Sequence, residues 1–168
     1  MEGQQMNQER DLEGIAALVT GASSGIGRAA AEELGRQGAE VLVHGRNAAR
    51  GFAVVDSIVA GGGKARFLAA DLTDAAQLAA LVDQAGTVDV LVNNAGFSWF
   101  GPTPDLDVTT FDRLGAANVR APYFLVAALA PAMGARGMAA SSTSPAWPAR
   151  SAWPAEPLTA RRRPLWCQ

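Results

Sequence analysis

Cysteine is almost missing from this chain: the 168 residues contain one, Cys167. A single thiol excludes a disulfide framework and a multi-cysteine zinc site, and it is in keeping with a reducing compartment. Histidine is equally scarce. His44 stands alone at a strand end, so it reads as a local structural residue rather than a catalyst or one member of a metal cluster. No stretch supplies the roughly 20 uninterrupted apolar residues of a membrane helix; the longest, residues 121–133, is interrupted by Pro122 and Pro131. A dominant charge sign is lacking too. With 14 basic against 16 acidic residues, net charge −2, the chain offers no electrostatic footprint for nucleic acid or an anionic membrane. The one basic run, Arg161, Arg162 and Arg163, reads as a solvated tail. Residues 1–13 are polar, with no apolar core of a signal peptide, so a soluble, cytoplasmic protein acting on small molecules is expected.

What the chain does have is apolar content, 49%, enough for the core of one domain or of part of a larger one. Short apolar runs alternate with amphipathic stretches from Ile15 onward, the rhythm of successive βαβ units. Strands are expected at residues 16–19, 40–44, 66–70 and 88–92, and helices at 26–37, 48–60, 75–84 and 109–133, the last bent at Pro122. Gly38 and the triplet Gly61, Gly62, Gly63 stand where helix ends call for residues tolerant of positive φ. After Arg136 the character changes. Residues 138–168 hold three of the four tryptophans and five of the nine prolines with no readable period, so residues 137–168 are expected to be disordered or loosely packed.

Between the first strand and first helix lies Thr20-Gly21-Ala22-Ser23-Ser24-Gly25-Ile26-Gly27. Each glycine has a physical job there: Gly21 for a tight turn, Gly25 for close approach of a pyrophosphate, Gly27 for close packing of helix on sheet. The helix N-terminus adds unpaired N–H groups and partial positive charge, and Ser23 and Ser24 add hydroxyls. A strand before, a helix after and a second strand about 20 residues on make this a phosphate-binding turn rather than a plain glycine-rich one.

With this turn the sequence resembles the short-chain dehydrogenase/reductases. The likeness continues in order along the chain. Asp71 with Leu72 resembles the acidic element after the third strand that contacts adenine, although Asp is also favoured at a helix N-cap and Asp74 is the better placed cap. Asn93-Asn94-Ala95-Gly96 is similar to the element that steadies the sheet and lines the cofactor site, and Asn118 matches the helix asparagine of the catalytic tetrad. The resemblance implies an α/β Rossmann-type doubly wound parallel sheet over residues 13–136, incomplete, with about four of the usual seven strands recognisable, behind a polar tail at 1–12. Thr20, Gly21, Ser23, Ser24, Gly25, Ile26, Gly27, Arg46, Asp71, Leu72, Asn93, Ala95 and Gly96 become the expected cofactor contacts, Asn118 a supporting catalytic residue, and no metal is called for.

Cofactor choice follows from the end of the second strand. A carboxylate there would bind the ribose 2′-hydroxyl of NAD and repel a 2′-phosphate. Gly45 occupies that place with Arg46 beside it, so NADP(H) is favoured, with NAD(H) as the alternative. The activity implied is hydride transfer between NADP(H) and a small-molecule carbonyl or secondary alcohol, as in 3-oxoacyl reductases, in a homo-oligomer when folded.

One part of the family pattern is missing. The implied mechanism uses a tyrosine as general acid or base, and a lysine four residues later that lowers its pKa and binds the nicotinamide ribose. The single tyrosine is Tyr123, the single lysine Lys64, and position 127 is Ala127. The chain as given is therefore expected to be inactive, a nucleotide-binding fragment. Ser141 and Ser142 fall near the family's serine, but no apolar fifth strand is recognisable around them. A displaced reading frame accounts for the loss. Joining the third base of each codon to the next two makes Met138 and the eight residues after it compatible with Gly-Ser-Val-Ile-Asn-Val-Ser-Ser. The same shift lets Leu158-Thr159-Ala160-Arg161-Arg162-Arg163-Pro164 yield Tyr-Gly-Ala-Thr-Lys-Ala. The tail thus reads as the product of a frameshift, in the gene or in its sequencing, from a complete parental enzyme.

Overall fold

A computed structural model describes residues 11–137 and 139–142, with side chains up to Gly137. Five parallel strands form one sheet in the order β3-β2-β1-β4-β5. They are β1 (Ala16–Val19), β2 (Glu40–Gly45), β3 (Lys64–Ala69), β4 (Val90–Asn93) and β5 (Ala139–Ser142). The helices between them are α1 (Gly25–Arg36), α2 (Ala48–Ala60), α3 (Ala75–Ala85), α4 (Val108–Gly115) and α5 (Ala121–Ala135). Order along the sheet reverses between β1 and β4, the crevice where ligands bind in doubly wound sheets.

The alternation of strand side chains builds two cores. Leu18, Leu42, Leu68 and Leu91 face α3 and α5, where Leu78, Leu81, Leu125, Leu129 and Met133 meet them. Ala17, Val19, Val41 and Val43 face α1 and α2, packing on Ala31, Val54 and Ile58. Burial on both faces is why β1 and β2 read as unbroken apolar runs. β3, beside only one neighbour, alternates instead and lies two residues earlier at its start than its apolar pattern implied. Leu12 donates its N–H to Gln37 O at 3.1 Å and packs on the second core, so the packed unit already includes it. Residues 1–10, 138 and 143–168 lie outside the described residues, and with them most of the tail expected to be disordered.

Two features differ from expectation. A fifth strand exists within the tail: Ala139–Ser142 pairs with Val90–Asn93 in register. Its four residues, Ala-Ala-Ser-Ser, carry no β-branched side chain and no alternation, so backbone pairing rather than propensity defines it. The long helix carries a π turn just before Pro122, where no sign of one is readable in the sequence. It runs from α4 into α5 through a π turn at Ala116–Arg120, where Ala121 N–H bonds five residues back to Ala116 O. Pro122 has no N–H to give to Asn118 four residues earlier, and the turn before it widens.

Candidate functional site

At the carboxyl ends of β1 to β4 lies a cleft of about 320 Å³. The end of each strand and the residues that follow it supply one wall: Gly21, Ser23 and Ser24 at β1, Gly45, Arg46, Asn47 and Arg50 of α2 at β2, Asp71, Leu72 and Thr73 at β3, and Asn94, Ala95, Gly96 and Phe97 at β4.

The turn after β1 is built around close backbone approaches. Gly21 has φ +65° and Gly25 φ +57°, conformations that favour glycine. A Cβ on Gly27 would stand 2.5 Å from Gly21 O and also meet the Asn94 side chain, so only glycine lets α1 come this near to the turn. A Cβ on Gly25 would meet nothing within 4 Å; that glycine faces open space. The start of α1 also differs from those of α2, α3 and α4. Asn47, Asp74 and Asp107 each cap the first turn of α2, α3 and α4 with a side-chain oxygen, whereas Ser24 makes no capping bond at α1. The first N–H groups of α1 are left available at the cleft edge.

Thr20 and Asn94 hold this turn against β4. Thr20 Oγ1 donates to Val92 O at 3.2 Å and accepts from Asn94 N–H at 2.9 Å and Ala95 N–H at 3.0 Å. Asn94 Nδ2 donates to Thr20 O and Gly21 O at 3.0 and 3.3 Å. Thr20 is buried and outside the cleft lining, and its hydroxyl is committed to this hub. Gly25, Ile26, Gly27, Asn93 and Asn118 likewise do not line the cleft. Asn93 is buried below it with both side-chain polar atoms unpartnered. Ile26 stands at the start of α1, largely exposed. Asn118, on the π turn, donates to Phe97 O at 2.8 Å and accepts from Phe97 N–H at 3.1 Å, fixing the loop after β4.

His44 is a linker, as its isolation in the sequence implied. Its Nδ1 accepts from Gly21 N–H at 3.2 Å, which places the proton on Nε2, 3.1 Å from Ala70 O. Burial pushes this imidazole down to about 4, so it is neutral at pH 7. Asp71 Oδ1 accepts from Thr73 N–H at 2.9 Å and from its hydroxyl at 2.8 Å, and the backbone bond in particular holds the carboxyl below its ordinary value. Asp74 caps α3, accepting from Ala76 and Gln77 N–H at 2.8 and 3.1 Å.

Asn94, His44, Arg50 and Thr73 are cleft residues not singled out as contacts from the sequence. Asn94 was within reach because it sits inside the Asn-Asn-Ala-Gly element, and Arg50 because it follows the Asn47 cap by one turn. Tyr123 lies exposed on α5, and Lys64 begins β3 at the opposite end of the sheet, beside Glu40 and Gly14; neither lines the cleft. Among the described residues no cluster of three or more His, Cys, Asp or Glu could hold a metal, and no helix is long and apolar enough to cross a membrane.

Known proteins resemble this chain in sequence and in fold. Versicolorin reductase 1 of Dothistroma septosporum is 41% identical over 119 residues, covering 68% of this chain and 45% of the relative. Sorbitol dehydrogenase of Cereibacter sphaeroides is 39% identical over 130 residues, covering 75% and 50%. Among solved structures, a metagenomic short-chain oxidoreductase in complex with NADP superposes with TM-score 0.74 at 43% identity, over 78% of this chain and 61% of that one. A 3-oxoacyl (acyl-carrier-protein) reductase from Agrobacterium tumefaciens C58 with NADP bound gives TM-score 0.74 at 34% identity, over 86% and 57%. The chain thus spans about half the length of the relatives it matches. The short chain dehydrogenase family model matches residues 15–144, from the first strand through the fifth, and the chain belongs to the short-chain dehydrogenases.

Proposed function

We propose that this chain is the nucleotide-binding half of an NADP(H)-dependent oxidoreductase, able to hold the dinucleotide and unable to turn it over. The observation that carries the reading is the wall after β2: Gly45 where a carboxylate would exclude a 2′-phosphate, with Arg46 and Arg50 on the same side of the cleft. The residues fit the cofactor. The free N–H groups of α1 and the open space at Gly25 suit a pyrophosphate, Ser23 and Ser24 add donors, and Asp71 and Leu72 bound the adenine end. Ala95 and Gly96 line the path toward the nicotinamide end, with Asn93 beneath and Asn118 steadying that wall through Phe97. NADP-bound relatives support the same choice.

When bound, the nicotinamide supplies a hydride donor or acceptor for a carbonyl or secondary alcohol. Proton transfer to the substrate oxygen needs a general acid or base at the cleft, and neither Tyr123 nor Lys64 stands there. That step belongs to a parental chain whose displaced reading frame restores serine and Tyr-x-x-x-Lys. The position of β5 supports this, because it lies where the displaced frame also places a strand leading to the serine. The substrate is a small molecule of that class, with the aromatic loop of Phe97, Trp99 and Phe100 as an apolar wall of its pocket. A homo-oligomer and a cytoplasmic location complete the proposal.

Fluorescence titration of the 168-residue chain with NADPH and NADH tests it. Saturable binding that favours NADPH and weakens in Arg46→Ala supports the reading; a folded chain that binds neither refutes it.

A further inference from the structure

The π turn at Ala116–Arg120 lines the cleft at one residue and braces its walls through two others. Ala117 lines its floor, Asn118 brackets the Phe97 backbone on the β4 side, and Arg120 reaches the opposite wall. Arg120 Nη2 donates to Thr73 O at 2.5 Å, across 47 residues of sequence. The Asp74 carboxylate, the cap of α3, is held charged chiefly by the Gln77 backbone N–H, with the Arg120 guanidinium adding the smallest share. No bond of the β3–α3 loop to α4 or α5 accompanies it among the described residues; the other side-chain bonds of Asp71, Thr73 and Asp74 stay within the loop and the first turn of α3.

We infer that Arg120 is a positioning residue for the adenosine end of the cofactor, tying the Asp71–Thr73 wall to the same helical turn through which Asn118 ties the Phe97 wall. The inference rests on the nucleotide reading of the cleft. Arg120 touches no cofactor in this scheme; it acts by holding a carbonyl of the loop whose Asp71 and Leu72 bound the adenine site. The widened turn before Pro122 thereby sets the distance between the two ends of the cleft. A guanidinium suits the task because its donors remain charged at any working pH and a carbonyl accepts them without a partner charge.

The test uses the full chain with Arg120→Met, which keeps the apolar stem, and Arg120→Lys, which keeps a donor. Calorimetric titration with 5′-ADP and with 2′,5′-ADP is paired with hydrogen exchange of the nucleotide-free chain. Arg120→Met should weaken both nucleotides by the same factor, about three- to fivefold for one exposed charge-assisted bond, and Arg120→Lys should recover most of it. Arg46→Ala, by contrast, should weaken only 2′,5′-ADP. Exchange over residues 71–77 should quicken in Arg120→Met while the rest of the sheet is unchanged. Unaltered exchange there, or unaltered affinity for 5′-ADP, overturns the inference. A wild-type chain that binds neither nucleotide overturns the cofactor reading itself, and that failure shows in the parent rather than in a difference between variants.

Discussion

Lowering the pH from 7 to 5 should destabilise this chain through one residue. His44 is the sole histidine and is held neutral by burial, with its ordinary value of 6.5 pushed down to about 4. The unfolded chain takes up a proton as pH falls through 6.5, while the folded chain resists until about 4, so stability is present above 6.5 and drains away between those limits. The full gap of that window corresponds to about 3 kcal/mol, and about 2 kcal/mol of it is spent by pH 5. For a chain of this size that is a fall in Tm of roughly 4–8 °C. The neighbouring charges pull in opposite directions, Asp71 favouring the imidazolium and Arg46 opposing it, and both are weaker than the burial. Protonation would also set a Nδ1–H against the Gly21 N–H it now accepts, 3.2 Å away. The carboxylates held low by hydrogen bonds, Asp71, Asp74 and Asp107 among them, lose their contributions only as pH falls through still lower values. Urea melts followed by circular dichroism at pH 7, 6 and 5 measure the slope, and His44→Gln supplies the control. The variant starts less stable but should be nearly flat over that range. An equal slope in His44→Gln, or a flat wild type, refutes the reasoning.

Other perturbations have equally definite outcomes. Gly27→Ala forces a methyl against Gly21 O and the Asn94 side chain, so it should lower stability by about 1–3 kcal/mol and abolish NADPH binding, read by melting and titration. Asp89→Ala removes the acceptor of Ala16 N–H and of Arg136 Nε, both at 3.0 Å, at a carboxylate that is 8% exposed; a loss of about 2–4 kcal/mol in chemical denaturation is expected. Asp74→Ala should cost about 1 kcal/mol as a lost cap and leave the NADPH/NADH preference unchanged. Sequencing the coding DNA should show codons that give serine and Tyr-x-x-x-Lys in the displaced frame; codons that cannot do so remove the proposed parent.

The doubly wound core was legible because its signals are local and redundant. Leu18 against Ala17 and Val19, or Leu42 against Val41 and Val43, mark strands apolar on both sides, and α2 ends at the glycine triplet, where Gly62 rather than Gly61 takes the positive φ. The glycine turn was legible because each glycine answers a separate backbone demand. What escaped depends on partners distant in sequence. Thr20 reads as part of the motif, but the motif does not announce that its hydroxyl accepts two N–H groups more than 70 residues away. β5 was illegible since its four small residues are ordered by an existing edge and not by their own preference. The π turn needed knowledge that Asn118 is already engaged with Phe97 when Pro122 removes the next rung of the helix ladder.

The uncapped start of α1 leaves room for a ligand to add to the stability of the fold. Three helix starts, those of α2, α3 and α4, are completed by their own side chains, whereas that of α1 has no side-chain cap. A nucleotide that binds only the folded form adds about 2.7 kcal/mol at a concentration 100 times its Kd. Abundance of the folded chain would follow the concentration of that nucleotide, so a measured melting temperature is a property of the solution as much as of the sequence.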